Sequence, residues 1–332
     1  MSEKFRALRV EQGTAGFTCA IQQRAVSDLA DGDVLIRVLW SSLNYKDALS
    51  ASGNKGVTRR FPHTPGIDVA GLVERASDGP WKAGDKVIVT GYDLGMNTDG
   101  GFGEFVSVPA DWVVRCPLGL TLRSSMVLGT AGLTAALSVS SLIDAGIDEG
   151  GDVLVTGASG GVGSVAVALL SQLGYRVTAV TGRESSAEWL KSLGASECIS
   201  REALLENSAK PMLAPKWSGV VDAVGGEILA AAIKGLRYGA SATCCGMAGS
   251  ADLPLNVFPF ILRGVNLLGV DSVELPVEIK QQVWDLLGTD WSLNKMADLV
   301  AAELSLEELP AYFPQILAGQ VRGRAVVKVA EE

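Results

Sequence analysis

The chain has 332 residues, of which 48% are hydrophobic, and its formal net charge is −9 at pH 7. This length allows a large buried core and favours two domains. The acidic balance argues against nucleic acid as a general partner. No uninterrupted apolar run is as long as a bilayer span, which argues against a membrane protein.

The N-terminal segment and the cysteines indicate the compartment. Met1–Arg6 carries charges of both signs and no apolar core, so no secretory signal is expected. The five cysteines are scattered and form no Cys-x-x-Cys pair, which predicts reduced thiols rather than a disulfide framework or a zinc knuckle. We therefore expect a cytoplasmic protein. The single histidine, His63, excludes mechanisms that need two imidazoles.

Short strands separated by glycine and proline turns dominate the first part of the chain. The pattern predicts a helix over residues 41–52 and strands at residues 5–10, 33–40, 69–74, 84–89 and 105–109. Many short strands of this kind favour a β-rich, partly closed barrel.

The pattern changes to helices and strands in alternation from residue 124 onward. A buried helix is predicted over residues 124–145, and the later elements are strands at 153–156, 176–181, 197–200, 219–223, 240–245, 266–271 and 325–329 and helices at 185–193, 227–236, 276–288 and 305–318. The alternation predicts an α/β fold with a doubly wound parallel sheet. We expect residues 125–265 to form this domain, inserted in a β-rich domain built from residues 1–124 and 266–332.

One glycine-rich turn, Val153–Ser164 (VLVTGASGGVGS), joins a buried strand to a helix. Strand, turn and helix in this order form the site where a dinucleotide pyrophosphate rests on a helix N-terminus. The spacing is Ala158-x-Gly160-x-x-Gly163, with alanine where the commoner fingerprint has its first glycine. Glycines also make ordinary turns, but the flanking strand and helix favour a dinucleotide site.

The next strand predicts which dinucleotide binds. An acidic residue at its end, roughly 20 positions beyond the turn, would bind the adenosine ribose of NAD. The segment here is Thr181–Ser185 (TGRES), with no carboxylate at Gly182 and with Arg183 directly after it. Arginine suits a 2′-phosphate, so we predict NADPH; the alternative is that Arg183 is a solvated surface residue.

Eight segments together resemble the medium-chain dehydrogenase/reductase superfamily over essentially the whole chain. They are Trp40–Leu49, Pro65–Gly71, Gly129–Ala135, Thr156–Ser164, Thr181–Ser185, Leu190–Ser196, Pro259–Gly264 and Gly269–Val273. More narrowly, the chain resembles the zinc-independent quinone-oxidoreductase branch and its acrylyl-CoA reductase family. The resemblance implies a Rossmann domain inserted in a GroES-like domain.

The resemblance also allows a prediction of whether the protein binds a metal ion. Zinc-binding members of the superfamily carry Cys, His and Cys at positions that match Asn44, Ile67 and Thr130. Those three residues do not form a catalytic zinc site, and residues 81–115 contain no cysteine for a second, structural site. We therefore predict no metal, which favours hydride addition to an activated C=C bond over alcohol oxidation.

What the resemblance implies is an oxidoreductase that reduces the C=C bond of acryloyl-CoA to propanoyl-CoA with NADPH. The reaction needs donors aimed at the developing enolate oxygen and limited access of water. Asn44 and Tyr45 match the family's catalytic region. Tyr45 would contact the cofactor and donate to the enolate; the alternative is a packed aromatic residue with an exposed hydroxyl. Asp47 is expected to cap or orient its neighbours.

Matching positions also imply the cofactor contacts. The pyrophosphate would lie on Ser159, Gly160, Gly161 and Val162. The 2′-phosphate would lie among Thr181, Gly182, Arg183 and Arg201, although Arg201 is equally compatible with a loop arginine. The nicotinamide end would be lined by Met247, Ile261 and Ser272.

Three further expectations concern partners. Arg59 and Arg60 belong to the one dense basic cluster and suit the phosphates of CoA, although a solvated loop is an equally simple explanation. His63 lies between prolines and is expected to be structural. The apolar strand Leu267–Val270 suits edge-to-edge pairing in a homodimer.

Two other functions share these features. A quinone or general enone reductase would use the same cofactor motifs and a different substrate site. A structural or nucleic-acid-binding relative of the fold is disfavoured by the intact glycine turn and the acidic charge.

Overall fold

The structure is a computed structural model, and it describes residues 4–14, 16–77 and 79–331. Residues 1–3, on which the expectation of no secretory signal partly depends, lie outside the described residues. The chain divides into two compact units. The first unit comprises Met1–Thr130, Val273–Ser292 and Val300–Glu332, and the second comprises Ala131–Ser272 and Leu293–Leu299.

The strands and helices are numbered in chain order. The strands are β1 (Lys4–Gly13), β2 (Gly16–Ala25), β3 (Val34–Leu43), β4 (Asp68–Ala76), β5 (Lys86–Thr90), β6 (Phe105–Val108), β7 (Val113–Arg115), β8 (Asp152–Val155), β9 (Arg176–Thr181), β10 (Glu197–Ser200), β11 (Trp217–Asp222), β12 (Leu236–Cys244), β13 (Asn266–Gly269), β14 (Val300–Ser305) and β15 (Arg324–Lys328). The helices are α1 (Tyr45–Ala51), α2 (Leu122–Asp144), α3 (Gly161–Gln172), α4 (Ala187–Leu193), α5 (Arg201–Leu205), α6 (Gly226–Lys234), α7 (Phe258–Arg263), α8 (Val277–Gly288) and α9 (Leu309–Leu317).

The first unit is built on a seven-stranded sheet in the order β14-β15-β3-β4-β5-β7, with β6 also paired to β3. Its core is dominated by Val, Leu and Ile side chains from alternate strand positions, as expected of a sheet with one face buried. The C-terminal strand β15 pairs with β3 in antiparallel register. This pairing brings the last strand of the chain into the sheet of the first unit.

The second unit contains a six-stranded parallel sheet in the order β10-β9-β8-β11-β12-β13. The chain winds outward from β8 through β9 to β10, then returns and winds the other way through β11, β12 and β13. This is the order of the doubly wound dinucleotide fold, and its switch point lies between β8 and β11. The predicted fold class, a Rossmann sheet inserted in a GroES-like β-rich domain, is confirmed.

Helix α2 changes direction at Gly129, whose backbone is not helical (φ 54°, ψ −156°). By length and composition this helix could cross a membrane, yet 72% of its most apolar window is buried within the protein. Burial of that kind is typical of a core helix.

The structure differs from the sequence prediction in several elements. The predicted helix over 41–52 begins only at Tyr45, because the two serines before it continue β3. Strand β2 was missed; it forms a separate two-stranded sheet with β1. The units divide after Thr130 and Ser272, whereas the expected boundaries followed residues 124 and 265. Strand β13 belongs to the second unit because it pairs in parallel with β12.

Candidate active site

The glycine turn between β8 and α3 has the geometry of a phosphate cradle. Gly157 adopts a left-handed conformation (φ 58°), and the N–H of Gly160 donates to its carbonyl at 2.9 Å. A Cβ at Gly163 would lie 2.4 Å from that same carbonyl oxygen, so only glycine lets α3 begin this close to the turn. The N–H groups of the first turn of α3 and its dipole therefore make a site for an anion.

The switch point of the sheet is braced by a carboxylate that the sequence analysis did not single out. The Oγ1 hydroxyl of Thr156, at the end of β8, donates to Asp222 Oδ1 at 2.6 Å. The other oxygen of Asp222 accepts the N–H groups of Val224 and Gly225 at 3.2 and 2.8 Å. Burial raises the pKa of Asp222. The signal available in the sequence was a lone acidic residue ending an apolar strand.

The predicted 2′-phosphate residues converge at the carboxyl ends of β9 and β10. The Nη2 of Arg183 donates to Ser159 Oγ at 3.0 Å, and Thr181 Oγ1 donates to the same oxygen at 3.1 Å. A Cβ at Gly182 would lie 2.9 Å from the guanidinium carbon of Arg201. Two guanidinium groups thus flank a glycine, where a carboxylate would favour the ribose hydroxyls of NAD.

The remaining predicted cofactor residues have different surroundings. Gly160, Gly161 and Val162 lie at the start of α3. Met247, beyond β12, and Ile261, on α7, are 72% and 71% exposed. Ser272 is buried, and its Oγ accepts a hydrogen bond from Thr134 Oγ1 at 2.8 Å.

In the first unit, the predicted catalytic residues lie where β3 passes into α1. Tyr45 is the first residue of α1 and is 49% exposed. Asn44 is buried, and both ends of its side-chain amide are engaged: Nδ2 donates to Asp68 Oδ2 at 2.8 Å, and Oδ1 accepts from Arg324 at 3.2 Å. Tyr45 is therefore open to solvent, whereas the side chain of Asn44 holds the turn.

Asp47 caps the beginning of α1 as expected. Its Oδ2 accepts the N–H of Asn44 at 2.7 Å, and its Oδ1 accepts the N–H groups of Ile67 and Gly66 at 2.9 and 3.2 Å. Burial, with the nearby charge of Asp68 as a second cause, raises the pKa of Asp47 to about 7. The side chain joins α1 to the segment before β4, and both its oxygens are occupied by backbone donors.

The three positions matched to metal ligands do not supply a set of ligands. Asn44 and Thr130 both donate hydrogen bonds to Asp68, and Ile67 has an alkyl side chain. Within residues 4–14, 16–77 and 79–331, no group of three His, Cys, Asp or Glu side chains is placed to hold a metal ion.

His63 and the basic cluster lie elsewhere in the first unit. The His63 ring is buried, its Nε2 lies 2.9 Å from the carbonyl oxygen of Gly95, and burial lowers its pKa. Arg59 and Arg60 are exposed, and Lys55 Nζ lies 4.8 Å from the centre of the Phe61 ring.

Comparison with known proteins places the chain in a family. Residues 30–118 match the model described as "Alcohol dehydrogenase GroES-like domain", and residues 161–289 match "Zinc-binding dehydrogenase". The chain is 46% identical to the acrylyl-CoA reductase AcuI of Ruegeria pomeroyi, over 98% of this chain and 99% of that protein.

Two relatives have solved structures. The putative quinone oxidoreductase YhfP of Bacillus subtilis is 43% identical over 99% of this chain and 100% of its own length. Its crystal structure, with NAD bound, has a TM-score of 0.95 at 43% identity and covers 99% of this chain and 100% of that chain. The yhdH oxidoreductase of Salmonella enterica, in complex with NADP, also has a TM-score of 0.95, at 44% identity over 98% of this chain and 100% of that chain.

These identities extend over nearly the full length of each protein, and the two units match both family models. The chain is an oxidoreductase that belongs to the medium-chain dehydrogenase/reductase superfamily, in the quinone-oxidoreductase-like family that includes the acrylyl-CoA reductase AcuI and the yhdH oxidoreductase.

Proposed function

We propose that this protein is an NADPH-dependent reductase of the C=C bond of an enoyl thioester, converting acryloyl-CoA, NADPH and a proton to propanoyl-CoA and NADP⁺. Two observations support the proposal: its 46% identity to AcuI and a cofactor site whose phosphate turn is complete. The observation that carries its cofactor part is that Arg201 lies against Gly182 while Arg183, the next residue, reaches Ser159 of the phosphate turn.

The cofactor preference follows from this chain's own residues. YhfP is described with NAD and yhdH with NADP, so family membership does not decide between them. The position where an acidic residue would bind the ribose of NAD is Gly182 here, and the two arginines beside it supply positive charge for a 2′-phosphate. We infer a preference for NADPH.

The proposed reaction gives roles to Tyr45, Asn44 and Asp47 in the first unit. When bound, NADPH supplies a hydride to the β-carbon of the thioester. Negative charge then collects on the thioester oxygen as an enolate, and a proton from solvent or from a side chain adds to the α-carbon. Tyr45, which is 49% exposed, is a donor for the enolate oxygen, and Asn44 and Asp47 hold the beginning of α1.

A metal has no role in this proposal. The side chains at Asn44, Ile67 and Thr130 are an amide, an alkyl group and a hydroxyl, and the polar two donate to Asp68. These residues do not fit zinc, so we propose a zinc-independent enzyme in which enolate stabilisation depends on hydrogen bonding.

The CoA portion, the oligomeric state and the compartment are part of the same proposal. Arg59 and Arg60 are exposed cations suited to CoA phosphates.

Strand β13 ends the six-stranded sheet, and Phe258 and Leu262 on α7 are 46% and 60% exposed, which supports a homodimer through this edge. If so, Leu262→Asp will lower the mass measured by analytical ultracentrifugation to that of a monomer. The reduced cysteines support a cytoplasmic location.

A quinone reductase is the second candidate, because a 43% identical relative bears that name. Initial rates of NADPH and NADH oxidation, measured with acryloyl-CoA and with a small quinone, separate the two. We expect the highest kcat/KM for NADPH with acryloyl-CoA. A higher kcat/KM for the quinone would overturn the proposed substrate. An equal kcat/KM for NADH and NADPH would overturn the proposed cofactor preference. No turnover with either acceptor would favour a non-enzymatic relative of the fold.

A further inference from the structure

The carboxylate of Asp68 is the centre of a buried polar cluster in the first unit. Thr130 donates to Asp68 Oδ1 through its Oγ1 at 2.5 Å, and its backbone N–H lies 3.0 and 3.1 Å from the two oxygens. Asn44 Nδ2 and Ser42 Oγ donate to Asp68 Oδ2. An ionised carboxylate has about four lone-pair sites, so these four donors saturate it.

Arg324 balances this charge from the beginning of β15. Its side chain is 3% exposed, and its Nη2 lies 4.0 Å from Asp68 Oδ2. Its hydrogen bonds connect separate elements: Nε donates to the carbonyl of Val127 on α2 at 2.9 Å, Nη1 donates to Asn44 Oδ1 at 3.2 Å, and Nη2 donates to Ser42 Oγ at 2.9 Å. The turn before α1, helix α2, strand β4 and strand β15 are thus all joined through Asp68 and Arg324.

The backbone is shaped to allow the cluster. Gly129 interrupts α2 in a left-handed conformation, which turns the N–H of Thr130 toward Asp68. A Cβ at Gly129 would lie 2.5 Å from Asp68 Oδ2 and 2.9 Å from Arg324 Nη2. A side chain at this position would clash with both members of the ion pair, so the cluster requires glycine here.

The cluster stands at the positions that hold metal ligands in zinc-binding members of the superfamily. A metal ion needs lone pairs directed at one point. Here Asn44 and Thr130 direct hydrogens at a carboxylate, and the guanidinium of Arg324 beside them repels a cation. The carboxylate of Asp68 thus joins the chain segments that a metal ion would join at these positions.

We propose that Asp68 and Arg324 form a positioning pair that replaces the organising role of a metal: by fixing Asn44, they fix the first turn of α1 and so the hydroxyl of Tyr45. Asp68 and Arg324 are positioning residues and do not contact the substrate. The inference rests on the proposed function for the role of Tyr45.

The mildest test removes one donor. Thr130→Val deletes the hydroxyl that binds Asp68 at nearly constant volume, and Thr130→Ser restores it. We expect Thr130→Val to lower kcat for acryloyl-CoA about tenfold and Asp68→Asn about 100-fold, since small misplacements of a catalytic group cost this much. NADPH affinity, measured by fluorescence titration, should change less than twofold, and Thr130→Ser should recover kcat to within twofold.

Ser125→Ala is the matched control, because its buried hydroxyl lies on the same helix and donates to the carbonyl of Leu122. We expect it to change stability without changing kcat. A Thr130→Val enzyme with kcat within twofold of wild type overturns the proposal, as does a loss that Thr130→Ser does not rescue. If Asp68→Asn fails to fold, Thr130→Val decides the matter.

A second readout does not depend on turnover. After dialysis against Zn²⁺, the wild-type protein should hold far less than one zinc ion per chain. One zinc per chain, lost in Asp68→Asn, would overturn the positioning pair whatever the substrate is. If acryloyl-CoA proves inert and a quinone is reduced, the proposed substrate fails, and the same kcat comparison made with the quinone tests the pair separately.

Discussion

The guanidinium of Arg183 reaches back across the glycine turn, where its Nη2 lies 3.0 Å from the Oγ and 3.3 Å from the carbonyl oxygen of Ser159. A residue at the end of β9 is thereby joined to the phosphate turn that follows β8. Both residues belong to the set expected to bind the cofactor. The contact holds the guanidinium beside the turn, where the proposed function assigns it to the 2′-phosphate of NADPH.

Arg183→Gln should raise the KM for NADPH by about 10- to 100-fold, which is the usual effect of losing a hydrogen bond between charged groups. The KM for NADH should stay within about twofold, because NADH has no 2′-phosphate. Steady-state kinetics with each cofactor at a saturating acceptor concentration measures both values.

Arg176→Gln is the control for this change. Arg176 begins the same strand at the opposite end and pairs with Asp152. It should leave both KM values unchanged. If Arg183→Gln raises the KM for NADPH and the KM for NADH equally, Arg183 holds the turn and does not bind the 2′-phosphate.

Tyr45→Phe should lower kcat at least tenfold, because removing a donor to the enolate costs a substantial part of acid catalysis. Tyr238→Phe, which changes a tyrosine 84% exposed in the second unit, controls for the loss of a phenol. Stopped-flow measurement of NADPH oxidation gives the rate of the chemical step directly. If kcat and the KM for NADPH both stay within about twofold, Tyr45 has neither assigned task.

Charge reversal at Arg59 and Arg60 should raise the KM for acryloyl-CoA about fivefold or more and leave the KM for a small quinone nearly unchanged. The reason is that only the thioester carries phosphates, and exposed charges act over about 10 Å at ordinary salt. The double variant Arg75→Glu/Lys82→Glu gives the same change in net charge at another exposed place. Parallel rises for both acceptors would remove the CoA assignment.

The single histidine gives a test of the pH dependence. Burial lowers the pKa of His63, with the charges of Asp99 and Asp93 opposing the shift and that of Arg9 adding to it. A depressed folded-state pKa means that the unfolded chain binds the proton first. The stability contributed by His63 is therefore present above pH 6.5 and lost as the pH falls through the lowered pKa.

NMR titration of the untagged protein measures this value without assignment, since the chain has one imidazole. We expect a midpoint below 6.5 and a urea midpoint that falls less between pH 7.5 and 5.5 in His63→Gln than in wild type. A midpoint at or above 6.5 would show that burial does not lower the pKa of His63 and would contradict this prediction.

The sequence predicts the second unit best, because its strands are continuous apolar runs and its turns are marked by glycine. Strand β9 was predicted with its observed bounds, Arg176–Thr181. Strand β2 was missed because its side chains alternate between exposed and partly buried, with several polar residues. A hairpin of this kind is stabilised by its partner strand more than by its own pattern.

The site was predicted to the extent that it depends on local motifs. The glycine turn, Arg183 and the capping role of Asp47 each follow from neighbours in sequence. The Asp68–Arg324 pair joins residues far apart in the chain, and its only local signals are a carboxylate beginning one apolar strand and a guanidinium beginning another. Charged residues at the start of apolar strands indicate buried charges, but they do not identify the residue that pairs with each charge.

The position of hydride transfer tests the proposed reaction most directly. Acryloyl-CoA is reduced with NADPH deuterated at the transferable C4 hydrogen, and the propanoyl-CoA is analysed by mass spectrometry and NMR. Hydride addition to the β-carbon predicts one deuterium per product at that carbon and a solvent-derived proton at the α-carbon. Deuterium at the α-carbon, or NADPH oxidation with a quinone and no propanoyl-CoA, would contradict it.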